Sequence, residues 1–261
     1  MERRGESEQA WPLLIEALSS PRNAAELQGF ERLRQRLGKR LGQAVPPGPR
    51  APAIPTFELL LPRPDQGSVE FAVAEYFASD EAPVHYVENL LFNGLLALLC
   101  WPAIYAPLPG AFFHPFQAAP ADLYRSDFYQ RRRALFEACL ASLESGDYRD
   151  RILETWQLKQ GISSPFLYWP LLTRELVGQA LDCLEPLQLR ACFERMLEDL
   201  REYRSGLPDL IQFWPDEQRC RLIEVKGPGD RLQDHQRRWL AFCIEQGLEV
   251  AVCHVQWQEA P

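Results

Sequence analysis

A chain of 261 residues that is 46% hydrophobic and 25% charged can bury a full core, as one large domain or two small ones, and is not a long disordered polymer. Seven cysteines, an odd number with no C-x-x-C pair, exclude a disulfide framework and a zinc ribbon and read as reduced core thiols. The formal net charge of −8 votes against a polyanion-binding protein, so any such function must rest on local clusters such as QRRR at 130–133, REYR at 201–204 and DRLQDHQRR at 230–238, whose plain reading is solvated helix faces.

From the N-terminus, MERRGESEQAWPLL lacks the long apolar run of a secretory signal. Residues 8–44 place Leu and Ile at helical spacing and predict one or two helices. AVPPGPRAPAIP is too rich in proline for a helix and predicts a stiff linker over 46–56. TFELLL predicts a strand, SVEFAVAEYFAS a helix capped by Ser68, and HYVENLLFNGLLALL a second helix buried on most sides. The apolar segment LLFNGLLALLCWPAIYAPL is interrupted by Asn93, Gly94 and Pro102, which fits a core helix and its exit, not a membrane span. Four helical patterns then fill 126–204: SDFYQRRRALFEACLASLES, DYRDRILETWQLKQ, LLTRELVGQALDCL and PLQLRACFERMLEDLREYR. Beyond Gly206 the order is strand, strand, helix (RLQDHQRRWLAFCIEQG) and strand (LEVAVCHVQW), a small mixed sheet crossed by one helix and so an α+β core.

The two strands after Gly206 carry the chemistry. In GLPDLIQFWPDEQRCRLIEVKG the turn formers Pro215 to Gln218 separate two apolar runs, as in an antiparallel hairpin. A register symmetric about the 216–217 peptide sets Asp209 opposite Glu224, with Cβ atoms about 4.5–5.5 Å apart. Leu222, Glu224 and Lys226 share one face, while Ile223 and Val225 point to the other, the expected core side. Opposed carboxylates repel and raise a pKa unless a cation intervenes. Either Lys226 neutralises the pair or a metal ion does; the plain alternative is a surface hairpin with an incidental Glu–Lys pair.

Pro208-Asp209 followed by Glu224-Val225-Lys226 is the PD-(D/E)xK nuclease pattern. The flanking stretches GLPDL, EVKGPGDRL, HQRRWL and EVAVCHV resemble the VRR-NUC domain in its Fanconi-associated nuclease version, and SVE and QAAPADLYRSDFY extend the likeness over residues 66–257. The resemblance implies a PD-(D/E)xK, restriction-endonuclease-like core at 57–261 with a helical insertion at about 126–204, and a helical segment at 1–45 ending a helical-repeat region of a longer protein. It implies one or two Mg²⁺ or Mn²⁺ ions held by Glu88, Asp209, Glu224 and the Val225 carbonyl, with Glu70 in reserve for Glu88 and with Lys226 at the water or the phosphate. Glu75 and Glu81 are further upstream acids; read without the resemblance, Glu88 is a helix-terminal glutamate near the positive end of the dipole. Gln236 and Trp239 have the spacing of the Q-x-x-Y motif of related nucleases, with Trp replacing Tyr, so Trp239 can simply pack. Arg201, Arg204, Arg231 and His235 are the expected phosphate contacts.

The activity implied is that of a structure-specific DNA nuclease, a 5′ flap endonuclease and 5′-to-3′ exonuclease acting in DNA repair such as interstrand crosslink repair. Its partner would be 5′ flap or branched duplex DNA and no membrane, in the cytoplasm, at the nucleoid of a bacterium or in the nucleus of a eukaryote. A non-catalytic DNA-binding or scaffold module that keeps the fold is the alternative.

Overall fold

The ILVF-rich strands and the helices, most of which run consecutively between the second and third strands, fall into two units, Met1–Pro52 and Ala53–Pro261, in the computed structural model, which describes residues 6–48, 51–64 and 66–258. The first five residues of the N-terminal segment and residues 49–50 of the proline-rich linker lie outside the described residues. In the first unit the pattern at 8–44 becomes two helices, Ser7–Leu18 and Ala24–Leu41. Asn23 caps the second, its side chain accepting from the Glu26 N–H at 2.9 Å, and Gly42 ends it at φ +65°, a left-handed turn that glycine adopts without strain.

The second unit is built on five strands: β1 (Thr56–Leu61), β2 (Val84–Tyr86), β3 (Leu210–Trp214), β4 (Arg219–Lys226) and β5 (Glu249–Trp257). They lie in the order β1-β5-β4-β3-β2; β5 runs parallel to both β1 and β4, and the remaining pairs are antiparallel. The architecture is the mixed α+β one expected, with a PD-(D/E)xK-like sheet and flanking helices. β4 is central and buried on both faces. Ile223 and Val225 join Leu61, Val73, Leu210, Cys253 and Val255 in one core beneath the helix Val69–Phe77. The face carrying Leu222, Glu224 and Lys226 is buried too, which corrects the picture of one core side and one charged, open side. That face is closed by the helix Asp234–Glu245, which buries Trp239, Leu240 and Cys243. All seven cysteines are buried free thiols. Among the described residues no helix is long and apolar enough to cross a membrane.

Several expected helices are interrupted, each for a local reason. HYVENLLFNGLLALL starts as strand β2 paired with β3, turns through Asn89 at φ +50°, and is helical only over Leu91–Leu99. The first helix of the insertion breaks at Arg132, between Phe128–Arg131 and Arg133–Leu140, because the Arg132 guanidinium turns inward to both oxygens of Asp122 at 2.8 and 2.9 Å. The last breaks at Asp199, extended at φ −157°, whose side chain caps Leu200–Tyr203 after the helix Pro186–Glu198 has ended. Ser68 does sit at the N-cap position of Val69–Phe77, but its side chain makes no capping bond.

Candidate active site

The hairpin register matches the symmetric one: Leu210 pairs with Ile223 and Gln212 with Arg221, so one step further Asp209 stands opposite Glu224. Asp209 lies just before β3, where its carbonyl accepts from the Val87 N–H and its Oδ2 from the Val225 N–H, both at 2.8 Å. These bonds tie β2, β3 and β4 together at one corner. Glu224 is completely buried. Its Oε1 accepts from Lys226 Nζ at 2.6 Å and from Gln236 Nε2 at 2.5 Å, while its Oε2 is buried without a partner. The helix starts later than the spacing predicts, at Asp234 with Leu232 outside it, and Gln236 reaches this carboxylate from its first turn. The Gln236 Oε1 meanwhile accepts from the Gln233 N–H at 2.9 Å, so one amide caps the helix and grips Glu224.

Both carboxyls hold their protons more tightly than free carboxylates. Burial pushes Asp209 up to about 6 against the Val225 N–H and Lys226, with Glu70 and Glu88 adding repulsion. Burial and the facing Asp209 push Glu224 up to about 8 in spite of the Lys226 ammonium. Lys226 therefore does not neutralise the pair by itself. Glu88 sits in the turn after β2, not on a helix, and is gripped by the Tyr86 hydroxyl and by Asn89 Nδ2 at 3.2 Å. Burial and the Glu88 bond raise the Tyr86 pKa, which keeps that phenol a donor. Among the described residues no three Asp, Glu, His or Cys side chains stand close enough to cage an ion on their own. The residues present nevertheless fit a hard divalent cation, which commonly takes one or two carboxylates and completes its shell with water and substrate oxygens. Two buried carboxyls of raised pKa, one with an unpartnered oxygen, are a donor set of that kind.

The VRR-NUC domain matches residues 143–257, the stretch that supplies β3, β4, β5 and the helix between. A Fanconi-associated nuclease 1 homolog of Pseudomonas aeruginosa is 54% identical over 98% of this chain and 46% of its own length. The chain belongs to the Fanconi-associated nuclease family. The human Fanconi-associated nuclease 1 is 34% identical over 71% of this chain and 19% of its own. The crystal structure of paFAN1 bound to 5′ flap DNA with a 2-nt flap and a gap matches with a TM-score of 0.93 at 54% identity, over 100% of this chain and 48% of that one. The chain thus spans about half the length of these bacterial relatives, and the likeness takes in the N-terminal unit as well as the 66–257 stretch that carries the motifs.

Within this Fanconi-associated nuclease chain the other expected residues divide. Arg204 is half-buried, its Nη2 donating to the Pro165 carbonyl at 2.6 Å and its Nη1 to the Tyr124 hydroxyl, between the Tyr124 and Phe166 rings. Burial lowers its pKa. Arg201 is exposed and reaches the Tyr124 carbonyl at 3.4 Å. Both arginines thus share Tyr124, which lies inside the QAAPADLYRSDFY motif and was not itself singled out in the sequence. Arg231 is exposed in the loop before the last helix. His235 packs against Gly206, where φ is +87° and a Cβ would come within 2.4 Å of the imidazole Cδ2. Trp239 is buried; its Nε1 donates to the Ser205 carbonyl at 3.1 Å, and it contributes packing, not a site atom. Glu70 and Glu88 both act electrostatically on Asp209, so the first choice and the reserve line one corner.

Proposed function

We propose that this chain is the nuclease portion of a metal-dependent, structure-specific DNA nuclease, a 5′ flap endonuclease and 5′-to-3′ exonuclease serving DNA repair such as interstrand crosslink repair. The observation that carries the reading is the Asp209–Glu224 pair: two buried, opposed carboxyls with raised pKa values and an unpartnered oxygen. A fold kept only for binding has no use for a pair that costs stability. Membership of the Fanconi-associated nucleases and the likeness to paFAN1, whose structure holds 5′ flap DNA, support the substrate class. Such a protein works wherever its DNA lies, the nucleoid of a bacterium or the nucleus of a eukaryote.

One or two Mg²⁺ or Mn²⁺ ions would be held by Asp209, Glu224 and the Val225 carbonyl, with Glu88 completing the set, and would supply positive charge to the scissile phosphate and acidity to the attacking water. Asp209 and Glu224 would hold the ion in their ionised forms, so filling the site would release their protons. Lys226 Nζ, fixed on Glu224 Oε1, keeps a cation beside the corner where negative charge grows on phosphate and can orient the nucleophilic water. Gln236 holds the Glu224 carboxylate in one rotamer. Arg201 and Arg204, with Arg231 and His235 nearer the last helix, would receive the DNA phosphates, an arginine gripping two oxygens at once.

Cleavage of a labelled 5′-flap duplex with Mn²⁺ tests this. Cleavage is expected to disappear with a chelator and in Asp209→Ala, and to fall steeply in Lys226→Ala. Unchanged cutting by both variants would mark a contaminating nuclease, and tight flap binding by a wild-type protein that never cuts would establish the scaffold alternative.

A further inference from the structure

The helix Leu91–Leu99, LFNGLLALL, is buried along its whole length, and Asn93 is the one polar side chain in it, 1% exposed. A buried amide costs free energy that leucine, of nearly the same shape, would not. Its two hydrogens both go to main-chain carbonyls: Nδ2 donates to Asn89 O at 2.5 Å and to Arg204 O at 2.8 Å. Its Oδ1 is buried with no partner, so the amide is kept for where its donors point. One of them points into the Glu88 turn. Asn89, at φ +50°, donates from Nδ2 to Glu88 Oε1 and accepts at Oδ1 from the Leu207 N–H at 3.4 Å. The other holds the segment that enters β3 five residues before Asp209.

We propose that Asn93 is a positioning residue: it pins the Glu88 turn to the chain entering β3, setting the Glu88 carboxylate against Asp209 and Glu224 and hence the affinity for the divalent cation. The proposal rests on the metal-dependent reading above. Asn93 touches no substrate and acts through Glu88, and a residue that orients a ligand in this way commonly governs metal affinity by about 10- to 100-fold.

The test is Mn²⁺ binding to the DNA-free protein, read as loss of the free-ion electron paramagnetic resonance signal, with thermal melts to verify folding. Asn93→Leu is expected to weaken Mn²⁺ binding at least tenfold, approaching Glu88→Gln. The double variant should bind no more weakly than Glu88→Gln alone, because a residue acting through Glu88 has nothing left to act on. Asn93→Ser, with one donor in place of two, should fall between, and it carries the comparison if Asn93→Leu does not fold. Flap affinity in chelator should change less than twofold. A folded Asn93 variant with wild-type Mn²⁺ affinity, or an effect that adds fully to Glu88→Gln, overturns the inference alone. Wild-type protein that takes up no Mn²⁺ overturns the metal reading and this inference with it.

Discussion

Two regions bury charge in opposite ways. In the helical insertion Asp122 accepts from Arg131 and twice from Arg132, so both of its oxygens are paired; burial opposes ionisation there, but the arginines win and hold Asp122 below the usual carboxylate range. At the β3–β4 corner two carboxyls share one lysine, both pKa values rise, and one oxygen is left over. The first arrangement leaves no oxygen of the acid unpaired, although Arg132 Nε is buried without a partner, and it braces a broken helix. The second is incomplete as protein alone, and on the proposed reading a cation and a substrate would complete it. Whether a buried acid is paired to the last oxygen separates structure from chemistry better than burial does.

Removing a member from each region should sharpen that difference. At the corner, Lys226→Ala should cost about 10²–10³-fold in cleavage rate, measured on the flap duplex, with a smaller loss of stability than the insertion variant because Glu224 can keep its proton. In the insertion, Arg132→Met leaves Asp122 buried with half of its partners and should cost about 3–5 kcal/mol in denaturant unfolding. There the residual folded protein keeps its cutting rate. A corner variant that unfolds the protein, or an insertion variant that stays stable and loses cutting, would break the comparison.

The pH dependence comes next. For Asp209 and Glu224 the folded pKa lies above the unfolded one, so the stability they contribute is fully present at acid pH, below the ordinary carboxylate range, and is lost as pH rises through about 6 and about 8. The metal-free protein should therefore lose stability across that window. Mn²⁺, which on the proposed reading binds the ionised forms, should raise the melting temperature more at pH 8 than at pH 6. An equal rise at both would show that the two carboxyls are not the ligands. The smallest effect is expected at Gln236, where Gln236→Ala removes both a helix cap and a grip on Glu224: about 1 kcal/mol of stability by denaturant melts.

The hairpin was legible because a two-residue side-chain period and a short turn leave few registers, and the Asp209–Glu224 opposition followed from counting. β2 was not legible. VHY is too short to show alternation, it runs straight into an apolar helical pattern, and only the exposed edge of β3 calls on it to pair. That error carried Glu88 onto a helix, whereas the turn places it where Tyr86 and Asn89 can hold it. The break at Arg132 was equally hidden, since QRRR reads as a solvated face until Asp122 draws one arginine inside.

By itself the sequence determined which acids oppose one another, the α+β class and the family, because these depend on local periodicity and on motifs contiguous in the chain. Only the tertiary structure decided that both faces of β4 are covered, that Lys226 and Gln236 meet on the same oxygen of Glu224, and that Asn93 spans to Arg204. Asn93 and Arg204 are 111 residues apart, and even the nearby Lys226 and Gln236 meet on Glu224 only because the last helix packs over β4, which no local pattern encodes.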